Sequence, residues 1–98
     1  MRLVIMIKSF GNSDTREVWE TGKSRRLPPA IRLTALKKLL ILHWANNLND
    51  LAVPGGNHLE ALKADRKGQH SIRINAQYRL CFVWRDGDAF DVEIVDYH

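Results

Sequence analysis

The side chains with the most chemistry to offer lie in residues 57–79, NHLEALKADRKGQHSIRINAQYR, where Lys63, Arg66, Lys67, Arg73 and Arg79 outnumber the acids Glu60 and Asp65. The cations recur on stretches that read as strands and tight turns. A sheet of β-branched and aromatic residues is rigid, so cations on one of its faces keep fixed mutual distances, as phosphate recognition or phosphoryl chemistry requires. The alternative is a solvated basic face that only keeps a small protein soluble.

The other reactive groups narrow the choice. His43, His58, His70 and His98 match no zinc spacing, and the lone Cys81 cannot complete one, so neither a metal site nor a cofactor is expected. His43 reads as a partly buried helix residue and His70 as a surface residue ahead of a strand. There is no Gly-rich phosphate loop, G-x-S-x-G or Cys/His motif to supply a covalent nucleophile. RNA carries its own nucleophile: a 2′-hydroxyl can attack the adjacent phosphate if the protein accepts one proton, donates another and neutralises charge on the phosphorane oxygens. His98, at the chain end behind Asp96 and Tyr97, has two negative charges beside it that favour the imidazolium, which suits it to donate a proton near neutral pH. The competing reading of His98 is a frayed terminus.

Composition sets the frame for this chemistry. The chain has 98 residues, 45% hydrophobic and 27% charged, which fits one folded domain spanning 1–98. A net charge of +4 and a sequence pI of about 9.6 favour RNA, DNA, an anionic membrane or an acidic protein as partner. The opening MRLVIMIKSF is too short for a signal sequence, and no apolar run approaches a membrane span, so no membrane association is expected. Cys81, inside YRLCFVW, reads as a small buried residue with no disulfide, which fits a reducing cytoplasm.

The elements that must position the cations follow from periodicity. Leu3, Ile5 and Ile7 alternate in residues 3–10, which predicts a first strand. Asp14 as an N-cap with Glu17 three residues later predicts a short helix that buries Val18 and Trp19 and stops near Gly22. Pro28 and Pro29 open a second helix to about Ala45, with Ile31, Ala35, Leu39 and Leu42 as its apolar stripe. Leu36 and Leu40 are expected to widen that stripe, and Arg32, Lys37 and Lys38 to face away. Residues 46–57 read as an irregular connection without a core of its own. Strands are then expected over 58–64, 71–75, 78–84 and 90–95, with a turn at Ala76 and Gln77 and a hairpin at Asp86-Gly87. Alternation puts Arg73 on the face opposite Ile72 and Ile74. The expected class is α+β: an N-terminal strand, two helices, then an antiparallel β-meander.

Taken together, MIKSF at residues 6–10, TGKSRR at 21–26, ALKKL at 35–39, PGGNHLE at 54–60, LKADRKG, SIRINAQYRLCF and the closing EIVDYH resemble the HigB toxins, plasmid-maintenance killer proteins of the RelE/ParE superfamily. The resemblance runs nearly end to end and starts at Met6, so residues 1–5 look like an N-terminal extension. It implies a RelE-like fold that enters the ribosomal A site and cuts mRNA there, without a metal, by 2′-hydroxyl attack. It further implies a HigA-like helix-turn-helix antitoxin as partner, with operator DNA reached only through that antitoxin. By matching motif, Lys63, Arg73 and Arg79 bind RNA and stabilise transition-state charge, joined in binding by Arg66 and Lys67. Asp96, Tyr97 and His98 form the terminal catalytic segment, with His98 the general acid. One branch of the family has a histidine where this chain has Glu60, which leaves Glu60 as base or as substrate contact. The alternatives are a non-catalytic RNA-binding module and a DNA-binding repressor; the connector 21–27 is too long and too basic for a tight helix-turn-helix.

Overall fold

The computed structural model describes residues 7–52 and 55–96. The expected extension at residues 1–5, Pro54 of the PGGNHLE motif, and Tyr97 and His98 lie outside the described residues.

Helix α1 (Ser13–Thr21) is capped by Asn12 and not by Asp14. Asn12 has the extended backbone an N-cap needs, and its Oδ1 accepts from Thr15 N at 2.9 Å and from Thr15 Oγ1 at 2.7 Å. Asp14 is already inside the first turn, where it favours the helix dipole and meets Arg26 at 3.5 Å. Gly22 ends the helix in the left-handed region, as expected, and Val18 is fully buried.

Helix α2 (Pro29–Trp44) starts at the proline pair and buries Ile31, Ala35, Leu39 and Leu42. Two expectations about it fail. Leu40 is 41% exposed and does not join the buried stripe. Lys38 does not face away: its Nζ donates to Asn57 Oδ1 at 2.5 Å, and burial lowers its pKa from the usual lysine value. That contact ties α2 to the connection after it, which does contribute to the core. Leu51, in the 3-10 turn Leu48–Ala52, is fully buried, and so is Asn57, whose Nδ2 donates to the Leu51 carbonyl at 3.2 Å.

The sheet is an antiparallel meander of β1 (Glu60–Ala61), β2 (His70–Arg73), β3 (Tyr78–Arg85) and β4 (Asp88–Asp96), in that spatial order. β1 is far shorter than expected because Ala64 takes a left-handed backbone, φ 54°, at the head of the 3-10 turn Ala64–Arg66. The Asp86-Gly87 hairpin has positive φ at both residues, 53° and 82°, which matches the right-handed twist of its strands. Ile72, Leu80, Phe82, Ala89 and Val92 pack with both helices into one core. His70 belongs to β2 and is half-buried with its ring stacked on Phe82, not a surface residue preceding the strand. Cys81 is buried in β3, as expected, and burial pushes its thiol pKa up.

Within the described residues the N-terminal segment makes two isolated parallel bridges to β4, Ile7 with Ala89 and Phe10 with Val92. Asp91 sits at φ 52° between them and donates its N–H to Ser9 Oγ, which interrupts the ladder. The chain comes so close there that a Cβ on Gly11 would lie 3.0 Å from the Asp91 carbonyl oxygen. Thr15 Oγ1 accepts from Ile94 N at 2.8 Å and fastens the start of α1 to the same strand. No helix among the described residues is long and apolar enough to cross a membrane.

Candidate active site

The helices cover one face of the sheet, and alternation assigns the charges to the other. Ile72 pairs with Leu80 on the covered face, so the next pair, Arg73 with Arg79, stands on the open one, as sequence alternation predicts. Ser71 with Cys81, Glu60 with Ser71, and Cys81 with Glu93 share that face.

The two arginines differ in how they are held. Arg79 is only 12% exposed, and its Nε donates to Ser71 Oγ at 2.7 Å while Nη2 donates to the His58 carbonyl at 2.5 Å. Glu60 Oε1 lies 3.7 Å from the same Nε. The guanidinium is thereby fixed in place by groups on three segments. Arg73, directly across the ladder, has no hydrogen-bond or ion-pair partner among the described residues. Like charges opposite one another in a ladder destabilise a sheet, so this juxtaposition does not favour folding and concentrates a local positive field.

That field faces a pocket of about 320 Å³ lined by His58, Arg73, Asn75, Ala76 and Arg79. Its walls come from two places. His58 follows buried Asn57, which Lys38 and the Leu51 carbonyl hold, and takes a left-handed backbone, φ 45°, with its N–H on the Gly55 carbonyl. Asn75 closes the β2–β3 turn by accepting from Gln77 N at 2.8 Å and Tyr78 N at 2.7 Å. The same turn is tied to the end of β4, because Gln77 Nε2 donates to Asp96 Oδ2 at 3.1 Å.

The expected site residues therefore separate. Arg73 and Arg79 come together in the pocket, with Glu60 against Arg79. Asp96 pairs with Tyr78, on the Ile94 side of the alternation, and meets the pocket turn through Gln77 at the end of the sheet. Lys63 and Lys67 are exposed and flank the 3-10 turn outside the pocket wall. Arg66 is held by Glu93 at 2.6 Å and Gln69 at 3.0 Å, and Glu93 stands across the ladder from Cys81 on the open face. His58 and Asn75 are the wall residues that sequence reading did not single out for a role, since each sits on a turn that no apolar period marks. Among the described residues no three His, Cys, Asp or Glu side chains are grouped to hold a metal ion. What the pocket can do is hold an anion between two guanidinium groups, with an imidazole residue in its wall.

Comparison with known proteins gives this arrangement a class. A chain of the YoeB-YefM complex from Staphylococcus aureus superimposes with a TM-score of 0.55 at 20% identity, covering 94% of this chain and 97% of that one, a likeness of fold. Two helices against one face of a four-stranded antiparallel sheet is thus a RelE-like toxin fold. Toxin HigB-1 of Vibrio cholerae is 40% identical over 87 residues, 88% of this chain and 92% of that protein. Endoribonuclease HigB of Proteus vulgaris is 30% identical over 93 residues, 95% of this chain and all of that protein. A family model described as the RelE-like toxin of type II toxin-antitoxin system HigB matches residues 8–98. The chain belongs to this HigB family, as the sequence motifs implied.

Proposed function

We propose that this chain is an endoribonuclease toxin that cuts mRNA in the ribosomal A site and is neutralised by a HigA-like antitoxin. The observation that carries the proposal is the Arg73–Arg79 pair facing a pocket with His58 in its wall. The Proteus vulgaris relative's name supports the reaction class. The protein acts in the cytoplasm, where its substrate is, and reaches operator DNA only through the antitoxin.

In this mechanism the scissile phosphate sits between Arg73 and Arg79, whose charges offset those that build up on the non-bridging oxygens. His58 accepts the proton of the 2′-hydroxyl as its oxygen bonds to phosphorus. The 5′ oxygen leaves with a proton from His98, giving a 2′,3′-cyclic phosphate and a 5′-hydroxyl. Asp96 and Tyr97 orient His98, Lys63 adds charge along the RNA, and Lys67 and Arg66 extend its track. Glu60 is given to Arg79 as its positioning partner, because the two already form an ion pair.

The test is cleavage of mRNA on programmed ribosomes by purified protein, mapped by primer extension. His58→Ala should lower the rate by about tenfold or more and alter the pH–rate profile, while Glu60→Gln should leave that profile in place. The opposite result assigns the base to Glu60. Binding of mRNA by the wild type without any cutting would favour the non-catalytic RNA-binding module.

A further inference from the structure

The open face of the sheet is not the only surface that the core leaves unexplained. Helix α2 is apolar on two sides. With about 100° of rotation per residue, Ile31, Ala35, Leu39 and Leu42 form the buried side, and Leu33, Leu40 and Trp44 fall together on the opposite one. Leu33 is 62% exposed, Leu40 41% and Trp44 69%, and they are the large hydrophobic residues most exposed among those described. An amphipathic surface helix carries polar residues on its outer side, and a helix apolar all round is normally covered all round. The aromatic surface continues from Trp44 through His43, 5.1 Å away, to Trp19, 5.0 Å further.

The charges around this stripe indicate what covers it. Helix α2 contains no acidic residue, and exposed Lys37 lies within the stripe, one turn from both Leu33 and Leu40. Exposed Arg25 and Arg26 precede the helix, and Arg26 is 82% exposed. A second copy of this chain would bring the same cations against themselves. A segment that fits has apolar side chains at helical spacing and acidic residues beside them.

We propose that the outer stripe of α2, Leu33, Leu40 and Trp44 with Lys37, is a docking surface for an acidic amphipathic helix of the antitoxin. The inference rests on the toxin–antitoxin reading above and adds where the partner sits. The stripe belongs to the helix layer, on the other side of the sheet from the Arg73–Arg79 pocket. Antitoxin binding and RNA chemistry are therefore separable by mutation.

The experiment uses the full chain and the antitoxin of its own operon, purified separately, with affinity read by calorimetry and activity by ribosomal mRNA cleavage. The paired substitution Leu33→Asp and Trp44→Glu should weaken antitoxin binding by about a hundredfold or more and leave cleavage and thermal stability unchanged. Lys37→Glu should weaken binding by about tenfold, less so at high salt. Arg73→Ala should do the reverse, losing cleavage while keeping the antitoxin. Three results overturn the proposal: antitoxin binding by the paired variant within about threefold of wild type; loss of cleavage with binding intact, which would give the stripe to the ribosome; or a dimer of the chain alone that the paired variant dissolves. An antitoxin that does not bind the wild type at all defeats the underlying reading as well.

Discussion

The two faces of β2 and β3 are made from the same short stretch of chain, yet one stabilises the fold and the other opposes it. On the covered face Ile72, Leu80 and Phe82 are completely buried against the helices. On the open face two arginines oppose each other and a buried serine hydroxyl serves to hold one of them. The difference teaches that the open face is maintained at a cost which the covered face offsets. Folding stability and phosphate chemistry should therefore respond to different substitutions.

The hardest way to break that comparison is from the covered side. Phe82→Ala should destabilise the protein by about 3–5 kcal/mol, a large part of a small domain's stability, and remove activity through unfolding. Chemical denaturation checks this. Arg79→Ala should affect both chemistry and stability. It removes a charge from the pocket, lowering cleavage by about ten- to a hundredfold or more, and strands Ser71 Oγ, costing about 1–3 kcal/mol of stability.

Arg73→Ala sharpens the contrast. It should lose cleavage and growth arrest to a similar degree with an unchanged or slightly raised melting temperature, since it relieves like-charge repulsion. Equal destabilisation by the two alanine variants would show that Arg73 also has a structural role. Deleting His98 should lower cleavage by about tenfold or more, about 1.4 kcal/mol of transition-state stabilisation, without affecting the melt. Undiminished cutting would assign the acid elsewhere.

The smallest effect lies at His43, which the open face does not touch. Its Nδ1 is buried without a hydrogen-bond partner among the described residues, and burial holds the imidazole below its usual range. The unfolded chain therefore takes up this proton first as pH falls. The contribution is complete above the ordinary histidine value of about 6.5 and is lost as pH drops through the lower folded-state value. His43→Gln should flatten that part of the profile of melting temperature between about pH 7.5 and about pH 5, with no change in cleavage at neutral pH.

Much of the covered face was legible from sequence because its signals are local. Two prolines start α2, a Gly stops α1, Asp86-Gly87 closes the last hairpin, and period-two alternation assigns Arg73 to the open side. The pocket was legible only in part. That Arg79 opposes Arg73 depends on strand register, and that Glu60 meets Arg79 depends on β1 pairing after an irregular turn. His58 owes its place to buried Asn57, a polar residue whose burial follows from Lys38 on a helix 19 residues earlier. Asn12 outcompeted Asp14 as a cap because Thr15 supplies both a backbone and a hydroxyl donor to it, a tertiary preference fixed by Ile94 on the last strand.

The parallel bridges at the edge of the sheet bear on how the toxin comes into being. Ser9 and Asp91 meet across 82 residues, so the N-terminal segment finds its strand partner only after the long stretch between them has been made. Contacts of such long range close late and slow the final folding step. The pocket walls, in contrast, are neighbours in sequence and can approach one another early. A growing polypeptide would thus carry its basic hairpin before β4, which fixes the strand carrying Arg79, has joined the sheet. Arg79 is therefore set opposite Arg73 on a stiff sheet only once β4 has been made and has paired with β3.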